Sequence, residues 1–113
     1  MGTETEIQAG ILGYLRLRGV FAWRNNSGAA KIGGRFVRFG LPGAPDIIGI
    51  LPDGRFLGIE VKIPKGRVSE DQEAFRAAAI RSGALVFTAW GLDCARAWLD
   101  PIIAPIDADS APA

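Results

Sequence analysis

The stretch PDIIGILPDGRFLGIEVK, residues 45–62, decides the fold. Two runs of strand-forming residues, 46–51 and 56–62, flank the sequence Pro-Asp-Gly at 52–54. A Pro-Asp-Gly sequence between two apolar runs is typical of a tight turn that reverses the chain. The stretch therefore predicts an antiparallel β-hairpin, with the first residues of its first strand opposite the last residues of its second.

This hairpin brings charged residues together. Side chains two residues apart in a strand lie on the same face, so Glu60 and Lys62 share a face. Counting back from the turn, Asp46 lies opposite Glu60 or within about one residue of it. The alternative is an exposed Glu–Lys pair on an edge strand, which contributes little energy.

Two neighbouring carboxylates repel each other, and a hard divalent cation relieves that repulsion. Oxygen ligands with open positions suit Mg²⁺ or Mn²⁺, and the backbone carbonyl of Val61 is a candidate further ligand. A bound metal polarises a phosphoryl oxygen and lowers the pKa of a bound water. Lys62 can hold the attacking water, help to deprotonate it, or neutralise charge on the phosphate. The motif thus predicts a metal-dependent phosphodiesterase site.

The composition narrows the chemistry further. The 113 residues include no histidine and one cysteine, which excludes an internal disulfide, a conventional zinc site and histidine-based catalysis. The length suits one domain, which we predict over residues 1–100, followed by a tail rich in Pro, Ala and Asp at 101–113. The apolar runs are strand-length and the N-terminus lacks the pattern of a secretion signal, so the default expectation is a cytoplasmic protein with no membrane segment.

Charge is distributed unevenly along the chain. No acidic residue lies between Glu6 and Asp46, where the basic residues are Arg16, Arg18, Arg24, Lys31, Arg35 and Arg38. Such a block suits the phosphate backbone of a nucleic acid, although a solvated surface explains it equally well. The candidate DNA contacts are basic residues on the predicted flap and in the loop after Lys62, with two polar residues before the flap: Lys31, Arg35, Arg38, Lys65, Arg67, Asn26 and Ser27. The last two are equally explained as loop formers.

The remaining pattern predicts alternating elements around the hairpin. These are a helix at about 3–18, a strand at 20–23, a flap at 31–38 that turns at Gly33-Gly34, a helix at 69–81, a strand at 85–88 and a helix at 92–99. The order favours an α/β fold with a central mixed sheet flanked by helices, in which the 69–82 helix crosses between parallel strands. The three tryptophans are interpreted as core residues and Cys94 as a buried small hydrophobe.

The motifs Pro45-Asp46 and Glu60-Val61-Lys62 resemble the signature of the PD-(D/E)XK nuclease superfamily. Three further segments, Asn25-Asn-Ser-Gly28, Gly43-Ala-Pro-Asp46 and Ser69-Glu-Asp-Gln72, resemble its VRR-NUC family. The similarity implies a restriction-endonuclease-like αβββαβ core and Mg²⁺- or Mn²⁺-dependent cleavage of DNA. Stand-alone domains of this size resemble virus or prophage enzymes, which implies a bacterial or phage-infected cytoplasm. Their relatives resemble Holliday-junction resolvases, which implies a homodimer acting on branched DNA.

The resemblance also implies individual roles. Asp46 and Glu60 correspond to metal ligands and Lys62 to the catalytic lysine. Glu6 corresponds to an additional metal-site carboxylate, although Thr3-x-x-Glu6 is equally a helix capping box. Gln72 corresponds to a glutamine that faces the active site, and Ser69-x-x-Gln72 is likewise a capping box.

Two rival interpretations remain open at the level of sequence. One is a non-catalytic DNA-binding or assembly module, whose binding would be indifferent to Mg²⁺ and to Asp46→Asn. The other is a different phosphodiesterase or an RNA-directed nuclease. A monomer that nicks flaps or ends is the alternative to the homodimer.

Overall fold

The computed structural model describes residues 2–25 and 28–103, which form a mixed α/β fold. In chain order the elements are α1 (Glu4–Leu17), β1 (Phe21–Arg24), β2 (Gly28–Ile32), β3 (Arg35–Phe39), β4 (Ile47–Ile50), β5 (Phe56–Val61), α2 (Glu70–Arg81), β6 (Leu85–Ala89) and α3 (Leu92–Leu99). Among these helices, none has the length and apolar character needed to cross a bilayer.

The main sheet has the strand order β1-β4-β5-β6. Its first three strands are antiparallel, and β5 and β6 are parallel because α2 carries the chain back across the sheet. Strands β2 and β3 form a separate two-stranded ribbon inserted between β1 and β4. Without that ribbon the order is αβββαβ followed by α3, so the predicted mixed sheet flanked by helices is confirmed.

The predicted hairpin is formed by β4 and β5. Ile47 pairs with Ile59 and Ile50 with Phe56, and the turn closes through the Gly54 N–H, which donates to the carbonyl of Leu51 at 2.8 Å. Both strands are one residue shorter at their outer ends than predicted at 46 and 62. The reason is local: the Val61 N–H bonds to a side chain rather than to the partner backbone.

The hydrophobic core lies on one face of the sheet. Every second residue of β5 contributes to it, namely Leu57, Ile59 and Val61, each 1% exposed or less. Helix α1 packs Ile11 and Leu15 against this face. Residues two apart in a strand share a face, so the other residues of β5, including Glu60, lie on the opposite face.

The end of the described chain is also packed. Ile103 is 4% exposed and belongs to the core, and its carbonyl accepts a hydrogen bond from Arg18 at 2.9 Å. Packed chain therefore extends three residues into the segment predicted as a tail. Residues 104–113 lie outside the described residues, and the boundary between domain and tail stays a prediction.

The interpretation of the tryptophans as core residues is wrong. Trp23, Trp90 and Trp98 are 42%, 42% and 45% exposed. Trp98 stacks on Phe87 with ring centroids 5.1 Å apart, so its inner surface alone is covered. Alternation within β1 explains Trp23, because Ala22 packs against the core and its neighbours occupy the other face. Cys94 is half-buried rather than fully buried.

Candidate active site

Close backbone packing positions the loop that leads into Asp46. Gly43 has φ +78°, and a Cβ at this position would lie 2.1 Å from the carbonyl oxygen of Asp71 at the start of α2. Gly58 on β5 lacks a Cβ where one would lie 2.6 Å from the ring of Pro45. The two glycines therefore let the 43–45 loop lie against both α2 and β5, which holds Asp46 at the end of the sheet.

Hydrogen bonds orient Asp46 itself. The Val61 backbone N–H donates to Oδ2 of Asp46 at 2.8 Å. The backbone carbonyl of Asp46 accepts from the N–H of Asn25 at 2.7 Å, and the Asn25 amide donates to the carbonyl of Pro45 at 3.1 Å. Asp46 is thus tied to β5 on one side and to the end of β1 on the other.

Glu60 is the buried member of the pair. Glu60 is 7% exposed, and no other charged residue among those described is buried. Burial, followed by a hydrogen bond with Asp46 and the charge of Asp46, raises the pKa of Glu60 to about 9, whereas the charge of Lys62 lowers it. The register that pairs Ile47 with Ile59 explains this contact, because it sets Asp46 beside Glu60. Glu60 therefore keeps its proton at neutral pH when no cation is bound.

Lys62 follows the last residue of β5. Its backbone N–H donates to the carbonyl of Ala89 at 3.0 Å, which ties it to the end of β6. Its ammonium is close enough to Glu60 to lower the pKa of that carboxyl. The structure thus brings Asp46, Glu60 and Lys62 to one point on the sheet face opposite the core.

The first helix contributes a carboxylate that the sequence reasoning missed. The charge of Glu4 acts on Glu60 and raises its pKa. Glu6 instead completes the cap of α1: its backbone N–H donates to the Thr3 hydroxyl at 3.1 Å, and its carboxylate accepts from that hydroxyl at 3.2 Å. The spacing Glu-x-Glu gives two candidates on one helix. Residues two apart point to different sides of a helix, so the rotation of α1 about its axis decides which one is turned toward the site.

Gln72 forms the capping box that its sequence predicted. The Ser69 N–H donates to Oε1 of Gln72 at 2.8 Å, and the Gln72 N–H donates to the Ser69 hydroxyl at 3.1 Å. Gln72 also lines a small crevice together with Glu60 and Thr88. The capping bond occupies its oxygen, and the crevice places Gln72 near Glu60.

The acid pair fits a divalent cation that uses few protein ligands. In the described part of the chain, no three Asp, Glu, His or Cys side chains cluster tightly enough to hold a metal ion alone. Mg²⁺ commonly binds through one or two carboxylates and completes its octahedron with water and phosphate oxygens. Two adjoining carboxyl groups, one of them buried with a raised pKa, form a donor set of that kind.

The predicted DNA contacts fall in two places. Lys31 and Arg35 are exposed on the β2–β3 ribbon, where the register sets Lys31 opposite Phe36 and Arg35 opposite Ile32. Directly opposite residues share a face and successive residues alternate, so Lys31 and Arg35 occupy opposite faces of the ribbon. Arg38 lies on the same strand, opposite Ala29. Asn26 and Ser27 lie outside the described residues.

The second group, Lys65 and Arg67, is exposed in the loop after Lys62. Lys65 has φ +74°, and every other residue with positive φ in the described part of the chain is a glycine. It occupies the third position of a turn in which the Gly66 N–H donates to the carbonyl of Ile63 at 2.9 Å. A side chain here is held in a conformation that usually requires glycine.

The αβββαβ sheet and the acid–lysine cluster at its end define a domain of the nuclease-fold class. Residues 5–91 match the family model described as the VRR-NUC domain. The chain therefore belongs to the VRR-NUC domain family, and the resemblance inferred from its motifs is confirmed.

A solved structure described as a VRR_NUC domain supports the fold. It is 21% identical to this chain, with a TM-score of 0.64, and the match covers 88% of this chain and 96% of that chain. Among curated proteins, none matches the chain significantly.

Proposed function

We propose that this protein is a metal-dependent DNA endonuclease that hydrolyses phosphodiester bonds in branched DNA such as Holliday junctions. The observation that carries the proposal is the contact between Asp46 and the buried Glu60, with Lys62 beside them. Two acids that repel in the absence of a cation, next to an ammonium, form a site suited to Mg²⁺ or Mn²⁺ and an anionic substrate.

The residues divide the work as follows. Asp46 and Glu60 would hold the ion, and the Val61 N–H fixes the Asp46 carboxylate through Oδ2. The carbonyl of Val61 is the third protein ligand in this proposal. When bound, the ion polarises the scissile phosphate and lowers the pKa of a water. Lys62 orients that water and stabilises the charge that grows on the phosphate.

Further residues support the same role. Glu4, whose charge already reaches Glu60, is the first-helix carboxylate that we assign to the metal site in preference to Glu6. Gln72, which lines the crevice beside Glu60, positions water or phosphate through its NH₂ group. Lys31, Arg35, Arg38, Lys65 and Arg67 contact the phosphate backbone, as do Asn26 and Ser27, and these contacts carry no sequence information.

Symmetric cleavage of a junction requires two sites, so we propose a homodimer as the active form. One site of this kind cuts one strand. A monomer would instead nick flaps or ends, and light scattering of the protein with and without a four-way junction separates the two cases.

The test is cleavage of a four-way junction, a flap, a continuous duplex, single-stranded DNA and RNA, each with Mg²⁺, with Mn²⁺ and with EDTA. We expect metal-dependent cutting of branched DNA. Lys62→Ala and Asp46→Asn should lower the rate at least about 100-fold while binding persists. The matched controls are Arg81→Ala and Asp93→Asn, exposed charges on other elements, which should cut normally.

Full activity in Lys62→Ala would remove the lysine from the mechanism. DNA binding that is indifferent to Mg²⁺ and to Asp46→Asn, without cutting of any substrate, would favour a non-catalytic DNA-binding or assembly module.

A further inference from the structure

The face of the main sheet that carries the acid pair also carries exposed aromatic side chains. Phe21 pairs with Ile50 and Trp23 with Ile48, and residues 46, 48 and 50 of the β4 segment share one face. Phe21 and Trp23 therefore lie on the same face as Asp46. Helix α2 covers the other end of this face through Phe75, whose ring lies 6.4 Å from that of Phe56.

The two rings form a local cluster. Phe21 is 68% exposed and Trp23 is 42% exposed, and their centroids lie 5.1 Å apart with the planes tilted by 48°. Aromatic rings stabilise a protein or a complex most when they are buried. These two belong to a four-residue strand at the edge of the sheet. The described residues leave most of Phe21 and somewhat less than half of Trp23 open.

The cluster adjoins the candidate active site. Trp23 lies opposite Ile48, two residues from Asp46, and diagonal neighbours of this kind are about 7–8 Å apart. Asn25, two residues after Trp23, donates to the backbone of Asp46 at 2.7 Å. The aromatic cluster therefore begins about 7–8 Å from Asp46, and a DNA strand bound at the acid pair can reach it.

We propose that Phe21 and Trp23 form a stacking surface for unpaired DNA bases next to the scissile phosphate. The proposal rests on the proposed nuclease function and specifies its substrate: DNA with a single-stranded segment beside the cut, as at a flap or an opened branch point. Aromatic rings bind bases without sequence preference because every base has a stacking face. The bases of a continuous duplex are already stacked on each other and cannot use this surface.

This part of the chain carries no negative charge that would repel a DNA strand, because no acidic residue occurs between Glu6 and Asp46. Arg24 is exposed at the end of the edge strand, on the opposite face from Trp23. Phosphates that flank a stacked base therefore meet no carboxylate from this segment. The face is continuous with the acid pair, so one strand can contact both.

A second copy of this chain fits the same surface less well. The exposed parts of Phe21, Trp23 and Ile50 amount to roughly 300–400 Å² of apolar surface, whereas a stable interface buries about 800 Å² on each partner. The area suits one or two bases better than a protein interface.

The test measures binding in the Asp46→Asn background. An asparagine at 46 can still accept the Val61 N–H, and it removes the charge needed for cutting. The probes are a duplex with a single-stranded flap that carries 2-aminopurine and a continuous duplex of equal length. We expect Trp23→Ala to weaken binding of the flap DNA about tenfold and of the duplex less than twofold. The 2-aminopurine signal should lose its stacking-dependent quenching, and Trp23→Phe should restore most of both.

The matched control is Trp98→Ala. Trp98 has nearly the same exposure as Trp23 but lies on α3 against Phe87, and its loss should change neither probe. If Trp23→Ala fails to fold, the pair Trp23→Leu and Trp23→Phe carries the test, because the two side chains are both apolar but only one stacks.

Equal weakening on both probes, or none on either, would overturn the stacking surface. So would loss of a dimer in light scattering with unchanged preference for the flap, which would assign the face to a second copy. The proposed nuclease function fails separately: a selective loss in Trp23→Ala together with no cutting by the unmodified protein leaves stacking intact and removes catalysis. Cutting of the flap DNA that is unaffected by Trp23→Ala would support the nuclease function and remove the stacking surface.

Discussion

Two clusters in this molecule each bring a carboxylate against a second acidic group, and only one of them contains the cation that resolves the conflict. In the first, Tyr14, Arg18 and Asp100 join α1 to the end of α3. The Arg18 guanidinium donates to Asp100 at 2.7 Å and to the Tyr14 hydroxyl at 3.0 Å, and that hydroxyl also donates to Asp100. In the second, Asp46 contacts Glu60, and Lys62 compensates the pair only partly.

The pKa directions separate the two clusters. The hydrogen bond from Tyr14, followed by that from Arg18, lowers the pKa of Asp100, so the charged carboxylate is satisfied. Burial and Asp46 raise the pKa of Glu60 to about 9, so its charged form is disfavoured. The first cluster stabilises the fold, whereas the second keeps an electrostatic conflict that a divalent cation would remove. Perturbed acid pairs of this kind concentrate at functional sites.

The largest expected effect comes from Glu60→Gln. Because the change removes a proposed metal ligand, we expect the cleavage rate to fall at least about 100-fold. Because Glu60 has a pKa of about 9 in the folded state and 4.5 as its ordinary value, it must take up a proton on folding at neutral pH. Glutamine removes that cost, so we expect the free energy of unfolding to rise, by up to about 1 kcal/mol. DNA cleavage assays and urea denaturation measure the two effects.

The matched control for Glu60→Gln is Asp100→Asn, which makes the same kind of change in the Tyr14–Arg18–Asp100 cluster. It should lower stability and leave cutting unaffected. A Glu60→Gln protein that is less stable than the parent would show that the acid pair supports the fold, and the contrast between the clusters would then fail.

Tyr14→Phe tests the contribution of the tyrosine hydroxyl to the Tyr14–Arg18–Asp100 cluster. The hydroxyl accepts from Arg18 and donates to Asp100, and Tyr14 is 9% exposed. Its removal should lower the free energy of unfolding by about 1–2 kcal/mol with unchanged cleavage. Urea denaturation measures the loss, and an unchanged midpoint would mean that Arg18 and Asp100 hold the helices together without the hydroxyl.

The pH dependence of stability follows from the same cluster. Burial, followed by the hydrogen bond to Asp100, raises the pKa of Tyr14 from 10.0 to about 12. The stability linked to this group is complete below pH 10 and is lost as the pH rises toward 12. The pKa of Asp100 is lowered from 3.8, so its contribution is complete above that value and is lost as the pH falls below it.

Urea midpoints measured across both pH ranges check these directions. In Tyr14→Phe the alkaline decline should become shallower. In Asp100→Asn the acid decline should become shallower. A Tyr14→Phe protein that keeps the full alkaline decline would assign that decline to other groups.

How far the sequence predicts the structure differs between the clusters. The acid pair could be predicted because it depends on local rules: strand alternation and a Pro-Asp-Gly turn set Asp46 beside Glu60. The Tyr14–Asp100 contact joins residues 86 positions apart. No periodicity encodes it, since it depends on how two helices cross on the same sheet face.

The same limit explains the other differences. The choice between Glu4 and Glu6 depends on the rotation of α1 about its axis, and the exposure of Trp23 depends on how much of the sheet α2 covers. The large apolar surface of tryptophan favours burial. Only the arrangement of the layers shows that no helix within residues 2–25 and 28–103 covers one face of β1.

The smallest expected effect lies in the loop that follows the Asp46–Glu60–Lys62 cluster, where Lys65 has φ +74°. Backbone strain near a site persists when the side chain is needed there. Lys65→Gly should raise the free energy of unfolding by about 0.5–1 kcal/mol, because glycine adopts this conformation without steric cost. It should also weaken DNA binding and lower the slope of log affinity against log salt by about one. Lys65→Asn is the control, since asparagine tolerates positive φ better than most side chains and carries no charge; it should weaken binding equally. Lower stability in Lys65→Gly would mean that the lysine is held by favourable contacts, and strain would no longer distinguish the functional cluster from the structural one.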